Sequence, residues 1–164
     1  MKTALSRLGL IPFLLAGCAT APQGPDPTPL ASIEKPHDGA WDPRIAYYAQ
    51  LYDVPESLIR RSIQRESGYN PAARHGPFWG LMQIRVETAR GMGYHGPARG
   101  LLDADTNLKY AVAYLANAYK VAGGDPDRAL ALYAGGYFYE ARRKGLLDRL
   151  RTAQDNPSPG ISGT

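Results

Sequence analysis

Along the central part of the chain, apolar residues recur at steps of three, four and seven, and no convincing run alternates apolar with polar. Asp42-Pro43 reads as a helix N-cap followed by proline at the first helical position, opening a helix through Tyr52. Val54-Pro55-Glu56 opens a second helix, which runs to about Ser67 and stops at Gly68. Leu81, Ile84, Thr88 and Ala89 predict a third, short amphipathic stretch. Asp105-Thr106-Asn107 reads as the cap of a fourth helix, in which Leu108, Val112, Leu115 and Tyr119 share one apolar face and which Gly123-Gly124 ends. Asp125-Pro126 repeats the cap-plus-proline device for a fifth, holding Leu130, Leu132 and Tyr133, and a last helix is expected from about Tyr137 to Leu150. The expectation is an all-α domain of about six short helices with little or no sheet, spanning 41–151 without internal repeats. The Ser/Pro/Gly-rich residues 152–164 read as a flexible tail.

The N-terminus follows a different pattern. Lys2 and Arg7 precede an apolar stretch, Leu8 to Ala16, of the length of a signal-peptide core and too short to span a bilayer. It ends in Leu15-Ala16-Gly17-Cys18, which resembles the bacterial lipobox, so residues 1–17 read as a lipoprotein signal peptide and Cys18 as the residue to be acylated. An ordinary signal peptide with an incidental cysteine is the plainer alternative. Ala19 after the cysteine suits an outer-membrane address facing the periplasm. Pro22, Pro25, Pro27, Pro29 and Pro36 make residues 18–40 a Pro-rich tether, reaching about 3.1 Å per residue where extended. A spacer of no particular length fits the same composition.

Composition narrows the class. The chain has 164 residues, 44% of them hydrophobic, which is enough for a packed core and excludes wholesale disorder. Its formal charge of +4 falls to about +2 once Lys2 and Arg7 are removed, since 19 basic residues become 17 against 15 acidic ones. With no basic run longer than Arg142-Arg143-Lys144, nucleic acid is not an expected partner. Cys18 is the single cysteine, so no internal disulfide is available. His37, His75 and His95 are scattered, and no metal site or cofactor is expected.

Chemistry concentrates around Glu66. Ile59, Ile63 and Glu66 fall at i, i+4 and i+7, so Glu66 shares the apolar face of the second helix while Arg60, Arg61 and Arg65 are expected to point elsewhere. A carboxyl on a core-facing stripe loses hydration, which favours the protonated form a general acid needs. From spacing alone, however, a glutamate there reads first as an ion-paired or capping side chain near a helix end. Two blocks alter that balance: Glu66-Ser67-Gly68-Tyr69-Asn70-Pro71 and, after a short loop, Gly80-Leu81-Met82-Gln83-Ile84.

In order and spacing these blocks resemble the signature of the soluble lytic transglycosylase family, and the likeness continues through Asn107 to Tyr119 and into Ala129 to Tyr133. It spans most of the region from 41 to about 145. The resemblance implies a lysozyme-like fold and action on peptidoglycan glycan strands. Glu66 matches the catalytic acid. Ser67 matches a residue bonding near that carboxyl or the substrate acetamido group, Met82 and Gln83 match positions lining the sugar cleft, and Tyr133 matches the active-site tyrosine. The family usually reads Ala-Tyr-Asn-Ala-Gly where this chain reads Leu132-Tyr133-Ala134-Gly135-Gly136. The asparagine is absent, and Tyr137 and Tyr139 are the candidates to supply replacement hydroxyls or a stacking face.

The resemblance further implies a reaction run by one carboxylate and the substrate's own acetamido group, whereas most glycosidases use two carboxyl groups. A lysozyme-like hydrolase would need a second carboxylate, for which Asp103, Asp105, Glu87 and Glu140 are available. A non-catalytic wall-binding lipoprotein is the reading from outside enzymology. A domain this small suits either general wall turnover or a place beside an envelope-spanning secretion or remodelling machinery.

Overall fold

The computed structural model describes residues 39–155. The segment read as a signal peptide, Cys18, nearly all of the stretch read as a tether and the residues beyond Asp155 lie outside the described residues. Six helices are described: α1 Asp42–Tyr52, α2 Glu56–Ser67, α3 Val86–Gly91, α4 Ala104–Val121, α5 Pro126–Gly135 and α6 Phe138–Arg143. Three two-residue strands, β1 Arg74–His75, β2 Phe78–Trp79 and β3 Ile84–Arg85, form an antiparallel meander between α2 and α3. Its register pairs His75 with Phe78 and Phe78 with Arg85. Single 3-10 turns cover Ala98–Leu102 and Leu147–Arg149. The class is the helical one expected, with little sheet.

α4 is the central element, packed against α1, α3 and α5. Leu108, Ala111, Val112, Leu115, Ala118 and Val121 are all fully buried, so the helix is apolar around much of its circumference rather than along one stripe. Alanines at 111, 113 and 118 let neighbouring helices approach closely. Ile45 and Tyr48 from α1 and Leu58, Ile59 and Ile63 from α2 complete the core with Leu81, Met82 and Leu101. The Tyr48 and Tyr52 hydroxyls donate to the backbone carbonyls of Asp105 and Lys109, tying α1 to α4.

Several boundaries differ from expectation. α4 starts at Ala104, because Asp103 and not Asp105 accepts the Thr106 N–H at 2.8 Å. Asp105 instead pairs with Arg44 on α1, 3.3 Å away. Asp42 is the first helical residue of α1 and accepts from Arg60, leaving Trp41 as an N-cap without a side-chain bond. Asp125 caps α5 as read, accepting from the Asp127 and Arg128 N–H groups. The third stretch is a turn and a strand before it is a helix. Gly80 and Gln83 both adopt left-handed backbone, with φ of 73° and 47°, which a continuous helix forbids.

The last helix is also shorter than expected. Gly145 takes φ 64°, and the Leu146 N–H returns to the Ala141 carbonyl at 2.9 Å, a Schellman closure that ends α6 well before Leu150. Beyond it, the tail expected to loosen at Thr152 is held through Asp155. Ala153 is fully buried and its N–H donates to Met92 O at 3.0 Å, while the Asn117 amide clasps Arg151 through both its N–H and its carbonyl. A small side chain and backbone bonds, invisible as hydrophobic period, fix this segment.

Candidate active site

Where α2, α4, α5 and the small sheet meet, the chain leaves a cleft of about 410 Å³. Glu66, His75, Phe78, Gln83, Arg85, Tyr114 and Tyr133 face it, together with the backbone of Ala134, Gly135 and Gly136. Glu66 is the one carboxylate among these lining residues.

One side of the cleft is lined by Gln83, the last residue of the buried 80–83 loop, whose carbonyls lie outside helix and sheet and must find partners. Asn107 of α4 meets the first: fully buried, its amide nitrogen donates to Trp79 O and Leu101 O, each at 2.8 Å, and its oxygen accepts the Met82 N–H at 2.9 Å. Gln83 donates to Gly80 O at 2.8 Å, Ser67 Oγ to Leu81 O at 2.7 Å, and the Tyr133 hydroxyl to Met82 O at 2.8 Å. Every carbonyl from Trp79 to Met82 is thus satisfied by a side chain. A Cβ at Gly80 would collide with the Asn107 side chain and the Leu101 carbonyl, so the loop passes α4 at a distance only glycine allows.

Glu66 sits where the buried stripe of Ile59 and Ile63 runs out into this cleft, its side chain 22% exposed. Arg65, expected to point away, folds back beside it. Its Nε and Nη2 donate to Glu66 Oε1 at 3.0 and 2.6 Å, and Nη2 also reaches Leu130 O at 3.4 Å. The flexible guanidinium stem lets an adjacent residue cross the helix surface, which helical spacing alone does not convey. Glu66 is therefore both ion-paired near a helix end and placed in a cleft. Burial, with the Glu66 carboxylate nearby, pushes the Tyr133 hydroxyl well above the ordinary tyrosine range, so it stays a neutral donor.

The sequence model of the transglycosylase SLT domain matches residues 43–154, more than half of the chain. This chain belongs to the transglycosylase SLT domain family. At family level, the SLT domain implies lytic transglycosylase activity on peptidoglycan. No solved structure gives a significant match to the chain.

Within this SLT domain, Glu66, Gln83 and Tyr133 share the cleft as the sequence led one to expect, but two other positions do not. Met82 is fully buried with its side chain in the core, and gives the site only its backbone carbonyl and N–H. A flexible thioether fills the space under the loop, where a polar ligand cannot reach it. Ser67 spends its hydroxyl on Leu81 O, with a longer approach to Ile63 O, and does not line the cleft. The proposed stand-ins for the absent asparagine fail too. The Tyr137 hydroxyl is inside, accepting from Asn117 at 3.1 Å, and Tyr139 is 82% exposed on α6, away from the cleft lining. The hydroxyl that does line this wall belongs to Tyr114, which has no hydrogen-bond partner among the described residues and lies beside Gly136.

The four carboxylates considered as a second catalytic group are all occupied outside the cleft. Asp103 caps α4, Asp105 pairs with Arg44, Glu87 with Arg85, and Glu140 with Arg128 and Lys144. The residues missed from sequence are Asn107, Tyr114, His75 and Arg65 as a partner of Glu66. A signal existed for the first two: a polar side chain on the buried stripe of a helix must be bonded, and Asn107, Ala111 and Tyr114 share a face. His75 had none, since the hairpin that brings it to the cleft leaves no periodic trace.

Proposed function

We propose that this domain cleaves the β-1,4 bond between N-acetylmuramic acid and N-acetylglucosamine and leaves 1,6-anhydro-N-acetylmuramic acid ends, with Glu66 alternating as acid and base. The observation that carries this reading is a cleft in which Glu66 is the sole carboxylate among the described residues that line it. Arg65 engages Oε1, while Oε2 has no hydrogen bond among the described residues and is free to meet the glycosidic oxygen. Glu66 protonates that oxygen and the bond to C1 breaks. The sugar's own acetamido oxygen stabilises the charge at C1. The glutamate then takes the proton of the C6 hydroxyl as that oxygen closes on C1, so one residue restores itself and no water is consumed. Gln83 and Tyr133 hold the loop and its hydrogen-bonding groups in place, and Ser67 and Met82 act behind it.

This chemistry suits a protein anchored by an acylated Cys18 in the outer membrane, facing the periplasm, with residues 18–40 as tether. Cell wall remodelling, alone or beside an envelope-spanning secretion or remodelling machinery, is the corresponding role. Mass spectrometry of sacculi digested with the purified chain tests the reaction. Anhydro ends are expected; reducing muramic acid ends would favour a hydrolase, and intact sacculi with bound protein a wall-binding lipoprotein. Metabolic labelling with a fatty acid, lost in Cys18→Ser, tests the anchor.

A further inference from the structure

Gln83 settles the protonation pattern of a neighbour that the mechanism above does not use. The residue is 6% exposed, and its amide nitrogen donates to two carbonyls, Ala73 O at 3.0 Å and Gly80 O at 2.8 Å. Only an NH₂ group satisfies both, so the amide has one orientation and its Oε1 is an acceptor. That oxygen lies 2.7 Å from His75 Nδ1. Nδ1 must therefore carry a hydrogen, and the neutral imidazole is left with a bare Nε2. Gln83 adopts a left-handed backbone, φ 47°, uncommon for a residue with a Cβ, and the arrangement that holds it there is this set of bonds. His75 itself is exposed in the wall of the cleft, on the same cavity as Glu66 and Tyr133.

An N-acetylated sugar presents an amide N–H and several hydroxyl donors. The Gln83 oxygen is spent on His75, and Glu66 Oε2 is reserved for the reaction. We propose that His75 is a substrate-positioning residue whose bare Nε2 accepts a hydrogen bond from an amide N–H or hydroxyl of the glycan strand. This rests on the glycan-cleaving reading and adds a specificity contact to it. The ionisable groups facing the same cleft are Glu66 with its partner Arg65 from α2, Arg85 from β3, Tyr114 from α4 and Tyr133 from α5. Arg74, next to His75, is turned over the Trp79 ring at 4.3 Å.

Two substitutions separate positioning from structure. His75→Asn retains an N–H donor near the Nδ1 position and removes Nε2; His75→Gln carries a polar group out to the Nε2 distance. In the purified chain, long-range ¹⁵N spectra are expected to show Nδ1 protonated and Nε2 bare, with Nε2 shifting when a disaccharide-peptide wall fragment is added. His75→Asn is expected to raise KM for sacculus release roughly tenfold, the loss of one hydrogen bond, with kcat little changed. His75→Gln should recover much of KM. A protonated Nε2 in the free protein, or an unchanged KM in His75→Asn, overturns the proposal. If wild type binds the fragment but releases nothing, the glycan-cleaving reading fails, while the tautomer and the Nε2 shift still decide the role of His75.

Discussion

The two sides of the cleft, one lined by Gln83 and the other by Ala134 to Gly136, are backed by opposite materials. On one side the 80–83 loop is bonded at each carbonyl from Trp79 to Met82 by Asn107, Gln83, Ser67 and Tyr133, side chains drawn from α4, the loop itself, α2 and α5. On the other side Ala134, Gly135 and Gly136 offer backbone and one methyl group, and the Tyr114 hydroxyl beside Gly136 has no hydrogen bond among the described residues. The first wall is set before substrate arrives, and such preorganisation is where electrostatic catalysis gains most. The second has polar capacity to spare. Reaction geometry thus belongs to the bonded wall, and the fit of a particular strand to the open one.

The comparison breaks most readily at Asn107. Asn107→Leu orphans the Trp79 and Leu101 carbonyls and the Met82 N–H, and should lower unfolding free energy by about 3 kcal/mol in urea titrations, with activity lost as the loop shifts. Tyr133→Phe removes one loop bond beside Glu66. We expect about 1 kcal/mol of stability lost and kcat/KM for sacculus release down roughly 100-fold, a much larger effect on rate than on fold. Tyr114→Phe tests the open wall: its hydroxyl bonds nothing among the described residues, so stability should stay within about 0.5 kcal/mol while KM rises a few-fold. A stability loss equal to that of Tyr133→Phe would erase the distinction between the walls.

The smallest effect concerns how the open wall is braced. Glu140 on α6 receives Arg128 from α5 at 2.6 Å and Lys144 at 2.9 Å, and these cations hold its carboxyl down from 4.5 to about 2. A depressed folded-state value means the stabilisation is present above 4.5 and fades as pH falls toward 2. Melting temperatures of wild type and Glu140→Gln should differ modestly at neutral pH and converge through that acid window. A gap that widens on acidification would contradict the assignment.

How much of this was legible in the sequence follows from range. α2 and α5 were readable because their caps, stops and apolar spacing are local: Gly68 closes one helix and Asp125-Pro126 opens the other. The start of α4 was misplaced by two residues, since Asp103 and Asp105 are equally good caps until the Thr106 N–H chooses between them. The end of α6 depends on the left-handed turn at Gly145, which composition allows but does not require. In the site, Glu66 was visible from its stripe and neighbouring blocks. The work of Ser67 and Met82 was not, because the bonds that occupy them cross 14 and 51 residues of chain. Arg65 and His75 escaped for the same reason on a smaller scale, one through a flexible stem and the other through a hairpin of two-residue strands.

The most direct measurement is fragment release from purified sacculi by wild type and Glu66→Gln, read by mass spectrometry, with circular dichroism and thermal melting on the same samples. The account predicts 1,6-anhydro ends from wild type and none from Glu66→Gln, at nearly unchanged helix content and melting temperature. Equal release by Glu66→Gln would contradict it.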